Sequence, residues 1–158
     1  MTGVVVVDAS LMVLLVVGSA SKKYIAKHKR LREDYTIEHF ELLGLIMAEF
    51  SDIVLLPHVL VEVSSLARQI ENPARAKIQE ALRTLIMTAT ELPIQSASGA
   101  QRDEFGELGL TDAVILHLCN MTINGIPPTL ITTDTDLANS AHSQGYSVID
   151  FKQEFQTG

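Results

Sequence analysis

The chain has 158 residues, 47% of them hydrophobic and 20% charged. That is too apolar for a disordered chain and enough to bury roughly 70% of the unfolded surface in one compact domain. Its one cysteine, Cys119, excludes an internal disulfide and a zinc site built from several thiolates, and it leads us to expect a reducing, cytoplasmic setting. The net charge of −7 argues at first against nucleic acid, but it is unevenly spread. Residues 1–83 hold ten of the twelve Lys and Arg and ten of the nineteen acidic residues, whereas residues 84–158 hold two against nine. Six cations, Lys22, Lys23, Lys27, Lys29, Arg30 and Arg32, crowd one short segment.

Near the start, the run VVVVDASLMVLLVV has no basic leader, contains Asp8 and is shorter than the ~20 apolar residues that cross a bilayer, so no membrane segment is expected. Val4 to Val7 reads as a strand buried on both faces. Asp8 or Ser10 can cap a helix from Leu11 to Val17, ended by Gly18 and Ser19, and the basic segment from Ser21 to Arg32 follows. Thr36 caps a second helix with Ile37, Phe40, Leu43, Leu45, Ile46 and Phe50 on its apolar side. Ile53 to Leu56 is the next strand, and Pro57 suits the first turn of a helix running past Leu66. A helix from about Ala74 to Met87 and a strand from Glu91 to Gln95 come next, then a small and polar stretch, SASGAQRDEFGELG, that reads as a loop or weak helix. Thr111 caps a helix to Met121, and a turn over Asn124 to Pro128 leads into a strand from Thr129 to Thr133. A helix from about Asp136 to Gln144 and a strand from Ser147 to Phe151 end the pattern.

Strands alternating with helices call for a mainly parallel sheet between helical layers, an α/β three-layer architecture in a single domain over residues 1–158. The segment at about 18–52 reads as mainly helical in that plan. In such sheets ligands collect outside the carboxyl ends of the strands, where strand order reverses. Asp8 and Asp134 stand at strand carboxyl ends. Asp112 has Leu108, Ile115, Leu116 and Cys119 at helical spacing, and Glu62 has Val59 and Leu66, so both carboxylates lie on or beside an apolar stripe. Each has an ordinary explanation: Asp8 and Asp134 as helix caps, Asp112 favoured by a helix dipole, Glu62 at the edge of its stripe, Asp136 as a cap or surface residue.

Converging carboxylates repel one another and must take up protons unless a cation neutralises them. Oxygen ligands of this kind suit Mg²⁺ or Mn²⁺, which pair with phosphate and support phosphodiester hydrolysis. Other chemistries lack their residues. There is no G-x-x-x-x-G-K-[ST], no G-x-G-x-x-G and no H-E-x-x-H, and Cys119 lies in an apolar stripe. A phosphoaspartate phosphatase would usually carry an acid two residues after the first, where Ser10 stands, and a receiver-like domain would need a Lys at a late strand end, where none is found.

The segments VVVVDASLMVLL, LPHVLVEVSSLA, LGLTDAVILHL and LITTDTDLANSA followed by GYSVIDF resemble, in family order, the PIN-domain ribonucleases, and more particularly VapC-like toxins of toxin–antitoxin pairs. The resemblance implies a PIN-like fold and a site in which Asp8, Glu62, Asp112 and Asp134 gather around Mg²⁺ or Mn²⁺. It casts Asp8, Asp112 and Asp134 as metal ligands, Asp136 as an assisting acid, and Glu62 as the residue positioning a ligand or water. Ser10 and Thr132 resemble hydroxyl residues that support the ligands. The implied partners are an RNA substrate, held by Lys22 to Arg32, Arg68, Arg75, Lys77 and Arg83, a protein antitoxin, and a second copy of the chain through Leu42, Leu45 and Phe50. The stretch between Asp8 and Glu62 is longer than in the small toxins. The rival expectation is a non-catalytic PIN-like module that binds RNA or protein and keeps the acids as a structural metal site.

Overall fold

A computed structural model describes residues 3–157. Its centre is a five-stranded, all-parallel sheet in the order β3-β2-β1-β4-β5, flanked by helices. Strand β1, Val4–Val7, is buried throughout, as an unbroken β-branched run in a central parallel strand should be. It pairs on one side with β2, Asp52–Leu55, and on the other with β4, Thr129–Thr132. The outer strands are β3, Thr90–Glu91, and β5, Val148–Asp150. The chain steps outward from β1 to β2 in one direction and, much later, to β4 in the other. The order therefore reverses between β1 and β4, and their carboxyl ends form the crevice where ligands are expected.

Helix α1, Ala9–Ala20, buries Leu11, Met12, Val13, Leu14, Val16 and Val17, so it is apolar almost all round and serves as an inner helix. It packs against α2, Ile37–Met47, α3, Pro57–Ala67, and α4, Ala74–Thr88. It runs past Gly18 and Ser19 to Ala20, and Gly18 is where α2 crosses closely. A Cβ at that position would fall within the ring of Phe40. Thr36 does cap α2, in a capping box closed by His39.

The basic segment from Ser21 to Arg32, expected within a helical region, forms no α-helix. It is a 3-10 turn, Lys22–Tyr24, followed by further turns whose buried anchors are Tyr24, Ile25, His28, Leu31 and Tyr35. The lysines between them project outward. The small and polar stretch forms two short helices, α5, Ser96–Ala100, and α6, Phe105–Leu108. Helix α7, Leu110–Cys119, begins after Gly109, whose φ of 87° only glycine adopts without strain. Thr111 is thus inside the first turn instead of capping it. Asp134 caps α8, Thr135–Ser143, and a last helix, α9, Phe151–Thr157, follows β5 where strand had been expected to continue. Among the described residues no helix is long and apolar enough to cross a membrane.

Candidate functional site

Asp8 directly follows β1, and Asp134 follows β4 by one residue, so the reversal of strand order brings both to one crevice. Asp112 enters from the first turn of α7 and Glu62 from the middle of α3. All four line a single cavity of about 240 Å³, together with Ser10, Arg30, Thr111 and Thr133. Asp136 does not line it; it is exposed in the first turn of α8.

Capping and convergence both hold for the two strand-end acids. Asp8 Oδ1 accepts from the Leu11 amide at 3.3 Å, and Asp134 Oδ1 accepts from the Leu137 amide at 3.1 Å. The second Asp8 oxygen accepts from the buried Thr132 hydroxyl and, at 3.2 Å, from the Thr133 amide. Ser10 Oγ donates to Asp8 Oδ1 at 3.4 Å. The hydroxyls expected beside the acids, Ser10 and Thr132, are therefore in contact with Asp8. Thr133 was not singled out from sequence, and only its place two residues beyond a buried strand residue marks it.

Burial pushes the Asp8 carboxyl above its ordinary value; the three donors from Thr132, Leu11 and Thr133 pull it back, and the charge of Asp134 adds to the rise. Asp112 is pushed up to about 6, by burial first and then by the charges of Asp134, Asp8 and Glu62. Mutual repulsion of the four acids is thus felt at Asp112. Among the described residues the single cation lining this cavity is Arg30, which also lies 3.9 Å from Asp34. The donor set is all oxygen and negative, which fits a hard divalent cation and does not fit zinc held by thiolates or imidazoles. Among the described residues no three His, Cys, Asp or Glu side chains are grouped closely enough to form a ready-made metal cage.

Arg30 owes its position to His28. The Arg30 amide donates to His28 Nδ1 at 3.1 Å, which leaves the proton on Nε2 to be donated to the Ala67 carbonyl, also at 3.1 Å. The fully buried imidazole therefore ties the basic segment to the end of α3. Beyond that tie, Lys23, Lys27, Lys29 and Arg32 join Lys77 of α4 along a groove of about 600 Å³ that also contains Glu71. Three other cations expected to face RNA are engaged elsewhere: Lys22 pairs with Glu41 at 3.0 Å, Arg83 with Glu80 at 3.3 Å, and Arg75 donates to the Ile70 carbonyl; Arg68 lies outside the groove, and Arg32 within it has Glu33 at 3.8 Å. Of the apolar residues expected to form a dimer surface, Leu45 is exposed, while Leu42 and Phe50 pack partly buried against the core. Cys119 is a core residue whose thiol burial pushes up to about 12. No family model matches the chain, and neither a curated protein nor a solved structure is detectably similar to it.

Proposed function

We propose that the chain is a PIN-like, Mg²⁺- or Mn²⁺-dependent endoribonuclease. The observation that carries the reading is the convergence of Asp8, Glu62, Asp112 and Asp134, from four separate elements, on one cavity at the strand reversal. Carboxylates kept together against their own repulsion need a reason, and a divalent cation beside a phosphodiester supplies one. Bound there, the cation would lower the pKa of a water for attack and neutralise charge on the phosphate. Mg²⁺ keeps several waters and commonly takes only one or two carboxylates, so a preformed cage is not required.

The chain's own residues have separable tasks in this reading. Asp8 is held by its four donors and, with Asp112 and Asp134, would hold the cation. Glu62, exposed on α3 and lining the same cavity, would orient a water. Arg30 offers the guanidinium that meets phosphate oxygens as they enter, and the lysine groove carries the rest of the strand. As the toxin of a toxin–antitoxin pair, such an enzyme would be restrained by a protein partner. A short reading frame for an antitoxin-like protein beside its gene would support that assignment.

The test is incubation of the purified protein with mixed RNA and Mg²⁺ or Mn²⁺, with and without EDTA, beside Asp8→Asn and Asp112→Asn. Cleavage should need the metal, and each variant should lose about a hundredfold or more, the scale for removing a group that organises charge at the reacting centre. Cleavage untouched by either substitution sinks the site. RNA binding without cleavage under any metal condition moves the reading to the non-catalytic module.

A further inference from the structure

A second cavity, of about 350 Å³, opens beside the acidic one. The two share Ser10, Arg30 and Thr133 as a common wall. Its other side is aromatic. His39 and Phe155 lie ring on ring with centroids 3.7 Å apart and planes 21° apart, and Tyr35 meets His39 edge-on at 5.6 Å. Lys152 adds a second cation to the lining, and Asp34, 3.9 Å from Arg30, adds a carboxylate.

The volume suits one small planar group, at the lower end of the roughly 300–1,000 Å³ found for ligand pockets. The floor is polar: the buried Tyr35 hydroxyl lies 3.4 Å from Ser10 Oγ and 3.3 Å from Thr133 Oγ1, so hydrogen-bonding groups line the bottom while π faces line the side. Phe155 is stacked on His39 and stays 38% exposed, so part of its surface is open to a ligand. Aromatic faces, hydroxyls and a guanidinium on one wall are the combination that recognises an unstacked base attached to a phosphate.

We propose that this cavity holds a nucleobase of the single-stranded RNA, that of a nucleotide next to the phosphate lying in the acidic cavity. The identity of the ligand rests on the ribonuclease reading. The base stacks on the face of Phe155 turned away from His39, its edge meets the hydroxyls of Tyr35 and Thr133, and Arg30 in the shared wall meets the phosphate between the two cavities. The segment at about 18–52 supplies Arg30, Tyr35 and His39, so it builds the pocket that reads the strand.

The experiment measures fluorescence anisotropy in EDTA, where no cleavage occurs, using a labelled single-stranded RNA and a strand of equal length with abasic residues. Wild type should prefer the base-bearing strand; Phe155→Ala should weaken that binding about tenfold, within the range for losing one stacked base, and leave the abasic strand unchanged. Phe155→Tyr should restore the preference. Equal binding of both strands by wild type, or equal loss on both in Phe155→Ala, overturns the pocket; an unrelated occupant such as a protein side chain would give that result. Photocrosslinking of wild type to RNA carrying 5-iodouracil avoids any folding defect of the variant: adducts on Tyr35, His39 or Phe155 support the assignment, and adducts found only elsewhere overturn it. Metal-dependent cleavage is scored separately, so a nuclease without base-dependent binding loses only the pocket, and base-dependent binding without cleavage loses only the nuclease.

Discussion

Asp8 and Asp112 face the same cavity with opposite support. Asp8 is wrapped by donors from Leu11, Ser10, Thr132 and Thr133, whereas the Asp112 carboxylate is opposed by three other acids and accepts no hydrogen bond from the described residues. The folded protein therefore gives up the Asp112 proton only at about 6, against 3.8 for the unassisted group. Between those values the folded state binds more protons than the unfolded one, so stability falls as pH rises through that window, and the whole penalty is present above it. Without metal, Asp112→Asn should melt higher than wild type near neutral pH, and the gap should close as pH falls through the window toward 3.8. Added Mn²⁺ should raise the melting temperature of wild type and do so much less for the variant. A variant that melts lower than wild type at neutral pH would mean that Asp112 makes a stabilising contact instead of bearing repulsion.

Between elements, the decisive link is His28, which joins the basic segment to α3 through one acceptor and one donor nitrogen. The bond accepted from the Arg30 amide requires an unprotonated Nδ1, and burial first, then the nearby Arg30, hold the pKa below the ordinary 6.5, while the Ala67 carbonyl, which either ring form can reach from Nε2, pulls it up. The unfolded state therefore binds more protons in that window. The contribution of His28 is complete above 6.5 and is lost as pH falls through the lower folded value. His28→Ala should cost about 1–3 kcal/mol in urea unfolding near neutral pH, as expected for two buried hydrogen bonds broken with one partner of each left behind. The difference from wild type should shrink toward pH 5. This link was not legible in the sequence, where His28 sits among lysines and its partner Ala67 is 39 residues away. Local signals fared better: the valine run before Asp8, Thr36 ahead of its helix and Pro57 at a first turn each gave an element with its ends nearly right. Helix α9 was missed because buried Phe151 prolongs the apolar pattern of β5, although Asp150, whose carboxylate accepts from the Lys152 amide at 3.1 Å, marks the start of a helix.

Across the whole molecule, the charge of −7 describes no surface that a ligand would meet. Counting by segment located the cations but not their grouping, since Lys77 reaches the groove from a helix some fifty residues beyond Lys27. The acids were legible as a set because each stands at a strand end or on a helical stripe; the aromatic cavity was not, because Tyr35 and Thr133 are 98 residues apart. The result is two separate features, a cavity with four carboxylates at the strand ends and a groove lined by five cations, and Arg30 of the acidic cavity follows Lys29 of the groove directly in sequence. A strand bound to both features releases counterions from the groove and from Arg30. For single-stranded RNA in EDTA, the logarithm of affinity should fall with the logarithm of salt at a slope no steeper than about −4.2 if Arg30 and all five groove cations contact phosphates. Replacing Lys27 and Lys77 together with Ala should flatten the slope by about 1.4, whereas Arg83→Ala, whose guanidinium is occupied by Glu80, should leave it unchanged. An unchanged slope in the double variant, or a flattened one in Arg83→Ala, would put the RNA on the other face of α4 and separate the basic groove from the acidic crevice.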